Sequence, residues 1–404
     1  KTMVGGLAGL LAHRGITVFR ANAAFHADEI TPATSNHIVH LVPSPDQSDI
    51  LTYHKADVPE PSGPTMDLTA TNIVIATGAK PHPLPGNPFA GALIDSTQAL
   101  EVNEFPSSAV IIGAGAIALE FASMWNAAGS KVTLLIRKDR VLSAWDRRAG
   151  TTLTRELKRH GVNIITRASV THVDTGANLG ATVHYTREGQ DGEQSVWGEI
   201  ALVAIGRAPI TDPAWGVTID DHGHVATDAY GRTDKPGVWA VGDVTAGHAL
   251  AHRAFEQGIV IAETIAGLNP KPVDEAAVPQ IVFSFPEAAS VGLTVEQAQA
   301  REDLVEIKET NYPMLANARM LMSGTAGSLT IVSGCDAANP DTPRVLGVHM
   351  VSPMASDIIA EAEQLVGNHV PLADAARLVH PHPTFSETLG EALLKADGRP
   401  LHTR

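Results

Sequence analysis

The stretch that decides the fold is Ala109-Val110-Ile111-Ile112-Gly113-Ala114-Gly115-Ala116-Ile117-Ala118. Its apolar beginning, 109–112, predicts a short buried strand, and the apolar periodicity of 116–128 predicts a helix that follows the glycine turn. A second strand is predicted at 131–136, after Gly129 and Ser130. Together these segments form a complete β-α-β unit, so an α/β fold with a parallel sheet is predicted.

The turn of this unit has the form G-x-G-x-x-A. Gly113 would make the tight turn, Gly115 would let the backbone approach a pyrophosphate, and Ala118 would fit where helix and strand pack. The backbone amides at the helix start, around Ala116 and Ile117, would attract phosphate. With a strand on either side of the helix, the pattern favours a dinucleotide site over a purely structural turn.

The end of the second strand bears on which nucleotide binds. An NAD site usually carries an acidic residue there for the ribose 2′-hydroxyl. This chain instead has Ile136, followed by Arg137 and Lys138, with Arg140 close behind. A guanidinium group can clamp a 2′-phosphate, so the segment favours NADPH over NADH. The alternative is a solvated basic loop after a strand.

Composition limits the kinds of partner. A chain of 404 residues should hold two to four domains, and its net charge of −15 argues against nucleic acid or an anionic membrane as the main partner. No stretch approaches the ~20 apolar residues of a membrane span. The single cysteine, Cys335, excludes an internal disulfide and has acidic neighbours, so it is interpreted as structural. So few cysteines fit a reducing cytoplasm.

A histidine pair lies near the C-terminus in the run His380-Pro381-His382-Pro383-Thr384-Phe385-Ser386-Glu387. Imidazole titrates near neutral pH and suits proton transfer to and from a thiol. A carboxylate on the other ring nitrogen would fix the tautomer and stabilise the imidazolium. Taken alone, the run could equally be a proline-stiffened loop.

Other strands and helices surround these motifs. Short buried strands are predicted at 72–76, ended by Thr77 and Gly78, and at 199–205, ended by Gly206. Further predicted elements are an amphipathic helix at 147–160, a strand at 238–241 ended by Gly242 and Asp243, a helix at 249–265, antiparallel strands at 278–285, 328–333 and 344–351, and helices at 353–366 and 372–378.

Several of these segments, in this order, resemble the signature segments of the pyridine nucleotide–disulfide oxidoreductases. They are Ala76-Thr77-Gly78, Ile205 to Pro209, Thr233 to Asp243, Leu250-Ala251-His252 and His380 to Glu387. The family comprises two-nucleotide flavoproteins such as lipoamide dehydrogenase, the glutathione, mycothione and mercuric reductases and the soluble transhydrogenases. The C-terminal segment is most similar to that of lipoamide dehydrogenase.

The resemblance implies a fold of FAD-binding and NAD(P)-binding Rossmann-like domains with a C-terminal α+β dimerisation domain. The predicted ranges are 1–102 for the remainder of the FAD-binding domain, 103–226 for the NAD(P)-binding domain, 227–274 for the second FAD-binding segment and 275–404 for dimerisation.

The resemblance also implies roles for individual residues. His382 would be the acid/base for a thiol and Glu387 its orienting partner, with His382 reaching across a homodimer interface and His380 structural. The FAD site would include Thr77, Gly78, Asp243, Leu250, Ala251 and His252. The NAD(P) site would include Gly113, Gly115, Ala116, Ile117, Glu120, Ile136, Arg137 and Gly206. Glu120 matches a family glutamate near the flavin that pairs with a lysine.

Two features of the family do not occur in these 404 residues: a first G-x-G-x-x-G for the FAD pyrophosphate and a C-x-x-x-x-C redox pair. We expect an N-terminally truncated sequence; the alternative is a natural redox-dead paralogue. The 404 residues alone would then bind FAD weakly and not reduce a disulfide. The strand at 72–76 would carry unpaired backbone or exposed apolar surface.

The predicted function is that of a dihydrolipoyl dehydrogenase, with FAD and NAD or NADP as cofactors and the lipoyl group of a 2-oxo acid dehydrogenase complex as substrate. Alternatives are an NADPH-dependent low-molecular-weight disulfide reductase, a soluble transhydrogenase and, outside the enzymes, a redox-dead dimer scaffold.

Overall fold

The computed structural model describes residues 2–31, 36–45, 50–53, 65–176 and 180–403. The helices are α1 Thr2–His13, α2 Ser96–Leu100, α3 Ala116–Ala127, α4 Arg147–Arg159, α5 Ala251–Ile265, α6 Val295–Gln299, α7 Ala318–Ser323, α8 Ala355–Gly367, α9 Leu372–Ala375 and α10 Glu387–Ala396. Within the described ranges, no helix combines the length and the apolar character needed to cross a membrane.

The strands of the first half of the chain are β1 Val18–Arg20, β2 Asn22–Ile30, β3 His37–Val42, β4 Leu51–Tyr53, β5 Met66–Ala70, β6 Ile73–Ile75, β7 Ala79–Pro81, β8 Leu93–Ile94, β9 Ser108–Ile112, β10 Lys131–Leu135, β11 Asn163–Ile165, β12 Ala168–Asp174, β13 Ala181–Arg187, β14 Glu193–Gly198 and β15 Ile200–Val203. Those of the second half are β16 Arg207–Pro209, β17 Val238–Ala240, β18 Gln280–Val282, β19 Glu287–Gly292, β20 Leu304–Tyr312, β21 Ser328–Asp336 and β22 Asn339–Ser352.

The chain divides into two compact units. The first comprises Lys1–Lys80 and Pro209–Val273, and the second comprises Pro81–Ala208 and Asp274–Arg404. These limits differ from the predicted domain ranges, which remain a prediction. Residues 81–102 group with the second unit because β8 pairs with β15 of its parallel sheet.

The first unit contains a three-stranded antiparallel sheet, β2-β3-β5, and a parallel pair, β6 and β17. Ile75, Val238 and Ala240 from the parallel pair are buried in its core. Among the described strands, β6 pairs with β17 alone, and Val74 is 44% exposed. This strand pair therefore has exposed apolar surface at Val74.

The second unit contains the predicted β-α-β segment, formed by β9, α3 and β10. The strands belong to a five-stranded parallel sheet of order β11-β10-β9-β15-β8. Helix α3 packs on it through fully buried side chains, among them Leu119 and Trp125. The predicted α/β fold with a parallel sheet is confirmed.

The same unit contains a three-stranded antiparallel sheet, β12-β13-β14. Along β13, buried Val183 and Tyr185 belong to a hydrophobic core. The residue between them, His184, lies on the opposite face because side chains alternate along a strand. One face of this sheet is therefore apolar and packed, and the other is polar.

The C-terminal part of the unit is a five-stranded antiparallel sheet of order β18-β19-β22-β21-β20. Helices α8, α9 and α10 share a buried core with it, as the α+β prediction requires. The sequence analysis missed β19 and β20. Strand β20 lies at the sheet edge, where Glu306 and Lys308 are exposed and alternate with the half-buried Val305 and Ile307.

Candidate active site and nucleotide turn

Gly113 stands directly after β9 with a φ of 141°. A Cβ added there would lie 2.2 Å from the backbone oxygen of Ala204, at the end of the neighbouring strand β15. That Cβ would also be 3.4 Å from the Cβ of Ala118, which is fully buried in the first turn of α3. Glycine is therefore required at 113 and a small residue fits at 118, as the dinucleotide pattern demands.

Gly115 forms the N-cap of α3 and is exposed. A Cβ added at Gly115 would meet no atom within 4 Å, and among the described residues no side chain caps this helix. The first amides of α3, including those of Ala116 and Ile117, have no intrahelical acceptor. This open helix start fits the pyrophosphate of a dinucleotide.

The residues after β10 separate into buried and exposed positions. Ile136 is 1% exposed and its side chain lies in the hydrophobic core, so its predicted contact with the nucleotide, which stays a prediction, would be made by its backbone. Arg137 is exposed and is the first side chain after the strand that can reach a ligand. The guanidinium group of Arg140 donates a hydrogen bond to the backbone oxygen of Ser143 and forms an ion pair with Asp139. Part of this group is therefore already engaged within the protein.

Gly206 follows β15, which is the parallel neighbour of β9. Its φ is 130°, and a Cβ there would meet no atom within 4 Å. Because Val203 of β15 pairs with Ile112 of β9, Gly206 and Gly113 leave the sheet at the same edge. Ligands of parallel sheets bind at this carboxyl edge.

Glu120 lies on α3, and its Oε1 accepts a hydrogen bond of 3.0 Å from the backbone amide of Phe283. Burial raises the pKa of this carboxyl group, and the amide hydrogen bond opposes that effect in part. Glu120 therefore ties α3 to the segment after β18. Among the described residues, no basic side chain forms an ion pair with Glu120.

The predicted FAD residues of the first unit gather at the carboxyl edge of the β6–β17 pair. Ile75 and Ala240 are in register, so Thr77 and Asp243 leave the two strands in the same direction. The Thr77 hydroxyl donates to the backbone oxygen of Ile210 at 2.6 Å, and Gly78 has a φ of 71°.

Asp243 lies in a 3₁₀ turn, Gly242–Val244, and is half-buried. Among the described residues, its carboxylate neither caps the turn nor accepts a hydrogen bond, so it is available to the hydroxyls of a ribityl chain. Helix α5 begins at Ala251 after Leu250, and no described side chain caps it. These features fit the predicted contact with FAD, which stays a prediction.

His382 and Glu387 are joined by a hydrogen bond of 2.7 Å between Nδ1 of the ring and Oε2 of the carboxylate. The His382 side chain is 76% exposed, and that of Glu387 is 17% exposed. Glu387 is the first residue of α10, where the helix dipole favours a negative charge. The arrangement leaves Nε2 of an exposed imidazole free to exchange a proton, with its tautomer fixed by a shielded carboxylate.

Asn317 is a site residue that the sequence analysis missed. Its buried side chain donates through Nδ2 to Oε1 of Glu387 at 2.8 Å and to the backbone oxygen of Thr384 at 2.9 Å. Its Oδ1 accepts from the amide of Met320 and caps α7. Asparagine is a common helix N-cap, so the capping role of Asn317 could have been predicted from the sequence. Its contact with Glu387 could not, because the two residues are 70 positions apart.

The loop that carries His382 is held by Thr384. Its hydroxyl donates to the backbone oxygen of Pro381 at 2.7 Å and accepts from the amide of Glu387 at 3.2 Å. The peptide bond between His382 and Pro383 is cis. The loop therefore presents the imidazole from a hydrogen-bonded frame.

His380 has a different environment from His382. Its side chain is largely buried, and its Nε2 lies 2.9 Å from Oε1 of Glu361 on α8. The hydrogen bond to Glu361 raises the pKa of this histidine, partly offset by burial. A Cβ at Gly390 would lie 2.4 Å from its Nδ1, so α10 packs directly on the ring. His380 thus joins α8 to the start of α10.

Cys335 lies near the end of β21 and is almost completely buried. Burial and nearby acidic residues raise the pKa of its thiol, which disfavours the reactive thiolate. These properties agree with its interpretation as a structural residue.

Comparisons with known proteins agree with this geometry. Residues 10–258 match the family described as pyridine nucleotide-disulphide oxidoreductase, and residues 278–393 match the dimerisation domain of that family. Dihydrolipoyl dehydrogenase from Cupriavidus necator is 37% identical over 341 residues, which are 83% of this chain and 70% of that protein. A dihydrolipoyl dehydrogenase from Bacillus subtilis is 32% identical over 99% of this chain and 78% of its own length.

Solved structures show the same relationship. The crystal structure of LpdA from Mycobacterium tuberculosis has a TM-score of 0.81 and 25% identity, and the match covers 98% of this chain and 80% of that one. The HOCl-induced flavoprotein disulfide reductase RclA from Escherichia coli has a TM-score of 0.71 and 26% identity over 81% of this chain and 74% of its own. The chain therefore belongs to the pyridine nucleotide-disulphide oxidoreductases, flavoenzymes that use FAD and NAD(H), and it carries their dimerisation domain.

Proposed function

We propose that this protein is a dihydrolipoyl dehydrogenase, which oxidises dihydrolipoamide to lipoamide and reduces NAD⁺ to NADH with release of one proton. The observation that carries the proposal is the exposed imidazole of His382, which is held at 2.7 Å by the shielded carboxylate of Glu387. The curated relatives named above, all dihydrolipoyl dehydrogenases, support the choice within the family.

His382 acts as the base for the substrate thiol. Its Nδ1 carries the proton shared with Glu387, so its Nε2 can accept a proton from a thiol and generate the thiolate that takes part in disulfide exchange. The Glu387 carboxylate stabilises the imidazolium that results, and the amide of Asn317 holds that carboxylate in place. In the reverse direction, the imidazolium returns the proton to a leaving thiolate.

The nucleotide-binding residues perform the remaining tasks. The Gly113–Gly115 turn and the start of α3 hold the pyrophosphate of the nicotinamide nucleotide, and Asp243 holds hydroxyl groups of the FAD ribityl chain. When bound, FAD would supply the redox chemistry that couples oxidation of the thiol substrate to reduction of the nicotinamide nucleotide.

The active form in this proposal is a homodimer. Residues of the dimerisation domain expose large apolar side chains, such as Leu321, Met322 and Val379, the last of them 96% exposed. Such surface is unusual for a monomer and is typical of an interface. The substrate partner is the lipoyl group of a 2-oxo acid dehydrogenase complex, and a cytoplasmic location is part of the proposal.

A substrate comparison tests the proposal. The protein, purified with flavin, is assayed with dihydrolipoamide and NAD⁺. The same preparation is assayed with NADPH and the disulfides of glutathione or mycothiol, and for hydride transfer between two nicotinamide nucleotides without a thiol. The proposal requires kcat/KM to be highest for dihydrolipoamide and NAD⁺; a preference for either other assay would contradict it.

The NADPH-dependent disulfide reductase remains a second candidate because Arg137 is exposed beside the nucleotide turn. A guanidinium there would pair with a 2′-phosphate. Arg137→Glu should then lower kcat/KM for NADPH about a hundredfold relative to NADH. The substitution removes the charge-assisted pair with the 2′-phosphate and places a carboxylate that repels it. An unchanged ratio of the two values would remove the support for this candidate.

A further inference from the structure

Two histidines and two carboxylates share the polar face of the β12-β13-β14 sheet. His172 and Asp174 lie on β12, His184 on β13 and Glu193 on β14. His172 and His184 are cross-strand partners, and Glu193 is a diagonal neighbour of His184, which pairs with Ser195. The opposite face is buried in a core, so the cluster stands on a rigid support.

The ring and carboxylate atoms of this cluster lie close together. The two imidazole rings are stacked with centroids 4.1 Å apart. Glu193 lies 3.8 Å from Nδ1 of His172 and 3.5 Å from Nδ1 of His184, so both Nδ1 atoms face the same carboxylate. One ligand atom from each of these three residues lies within 4.8 Å of the others.

This spacing is close to that of a metal site. Around a tetrahedral ion with bonds of about 2.0–2.2 Å, ligand atoms are about 3.3–3.5 Å apart. The two imidazole planes differ by 9°, so both rings must turn about their side-chain bonds before their Nδ1 lone pairs converge on one ion. All three side chains are accessible, with exposures of 46% for His172, 22% for His184 and 44% for Glu193. Within the part of the chain that the structure describes, it is the one group of three such side chains with this proximity.

The surrounding hydrogen bonds orient the ligand atoms. Nε2 of His184 lies 3.1 Å from Oδ2 of Asp174, which favours a proton on Nε2 and leaves the Nδ1 lone pair directed to the cluster. The hydroxyl of Thr171 donates to Oε1 of Glu193 at 2.6 Å and fixes that carboxylate, whose Oε2 faces His184. Metal-binding histidines commonly have such a carboxylate behind the ligating ring.

We propose that His172, His184 and Glu193 bind a divalent first-row transition-metal ion, with Asp174 positioning His184. Two imidazoles and one carboxylate suit Zn²⁺ and its neighbours and are poor ligands for Mg²⁺ or Ca²⁺, which prefer oxygen alone. Because the three ligands come from three strands, the bound ion links β12, β13 and β14. None of these four residues is among those that carry the proposed dehydrogenase function.

The test uses Zn²⁺ as the probe on the tag-free, full-length protein. Isothermal titration with ZnCl₂ in a non-chelating buffer should show one binding event per chain that His172→Gln, His184→Gln and Glu193→Gln each weaken at least tenfold. Asp174→Asn should weaken it by about tenfold, the lower end of the range for such supporting carboxylates. His402→Gln is the matched control, because His402 is also exposed and bound to a glutamate, Glu391, at 2.8 Å; it should leave the affinity unchanged.

Thermal unfolding distinguishes binding at this sheet from binding elsewhere. Zn²⁺ should raise the Tm of the wild type and of His402→Gln but not that of His184→Gln, since a ligand stabilises the state that binds it. The variants without metal should have wild-type Tm values because the side chains are on the surface. Zn²⁺ binding that survives His172→Gln and His184→Gln, or that excess Mg²⁺ or Ca²⁺ abolishes, would overturn the proposal.

Discussion

Nδ1 of His382 lies 2.7 Å from Oε2 of Glu387, which is the first residue of α10. The carboxylate is shielded while the imidazole is exposed, so the pair can fix one tautomer and still present Nε2 to a substrate. In the proposed function this pair is the base for the substrate thiol, because proton exchange with a thiol needs a base whose orientation is set before the substrate arrives.

Replacing the carboxylate of Glu387 tests its proposed role in proton exchange by His382. Glu387→Gln keeps the shape of the side chain but removes its charge, so the imidazolium is no longer stabilised. We expect kcat for dihydrolipoamide oxidation to fall about a hundredfold, within the range of general acid–base effects, with the flavin spectrum and Tm unchanged. Glu391→Gln on the same helix is the control, since Glu391 bonds His402 in a similar geometry. Equal losses in the two variants would contradict the specific role of Glu387.

Asn317 should act through Glu387. Asn317→Ala removes the donor to Glu387 and the cap of α7, so kcat should fall about tenfold and the free energy of unfolding by about 1 kcal/mol. Asn317→Asp keeps the capping oxygen but places a second carboxylate beside Glu387. It should retain the stability of α7 while losing activity; a fully active Asn317→Asp variant would show that the contact with Glu387 is unimportant.

Substitutions of the two glycines of the nucleotide turn should differ in their effect on thermal stability. Gly113→Ala places a Cβ 2.2 Å from the oxygen of Ala204 and requires an unfavourable φ, so it should lower Tm and nucleotide affinity together. Gly115→Ala meets no protein atom and has a normal φ of −89°, so it should leave Tm unchanged but raise KM for the nicotinamide nucleotide at least tenfold. Unfolding curves and steady-state kinetics of both variants measure this difference. Unchanged KM in a stable Gly115→Ala protein would argue against pyrophosphate binding at this turn.

The pair of His380 and Glu361 predicts a pH dependence of stability. Its hydrogen bond to Glu361 raises the pKa of His380 above the ordinary 6.5, so the folded state holds the proton more tightly than the unfolded state. The stabilisation is complete below pH 6.5 and is lost as the pH rises through the raised pKa. Urea unfolding should therefore show a larger difference between wild type and His380→Gln at about pH 6 than at about pH 8.5.

The Glu361→Gln variant is the control for this effect, because it keeps the histidine but removes the charge that favours its protonated form. It should lose the same pH-dependent increment. A difference between wild type and His380→Gln that does not change with pH would mean that the pair contributes through packing against Gly390 alone.

The β-α-β unit could be predicted because its information is local: β9, the glycine turn and α3 follow one another in the sequence. The hydrogen bond between His382 and Glu387 could be anticipated for the same reason, since five residues separate them. Strand β20 was missed, because its alternation of apolar and charged side chains is confined to Val305–Lys308 and is followed by the polar residues Glu309, Thr310 and Asn311.

The remainder of the site depends on contacts between distant parts of the chain. Asn317 meets Glu387 only once α7 and α10 are packed, and Glu120 meets the amide of Phe283 across 163 residues. The burial of the Ile136 side chain could not be predicted, because a position next to a functional motif does not specify which way its side chain points. The proposed metal-binding cluster could not be predicted either, because it depends on the register of β12, β13 and β14, which is not evident from the sequence.

The most direct test of the central claim separates the thiol half of the reaction from the nicotinamide half. Under anaerobic stopped flow, NADH should reduce the flavin of His382→Gln at the wild-type rate. Dihydrolipoamide should reduce it at least a hundredfold more slowly than in the wild type, a loss typical of a removed acid–base group. His402→Gln, which breaks a comparable exposed pair, should behave as wild type in both halves. Normal flavin reduction of His382→Gln by dihydrolipoamide would contradict the assignment of His382 as the thiol base.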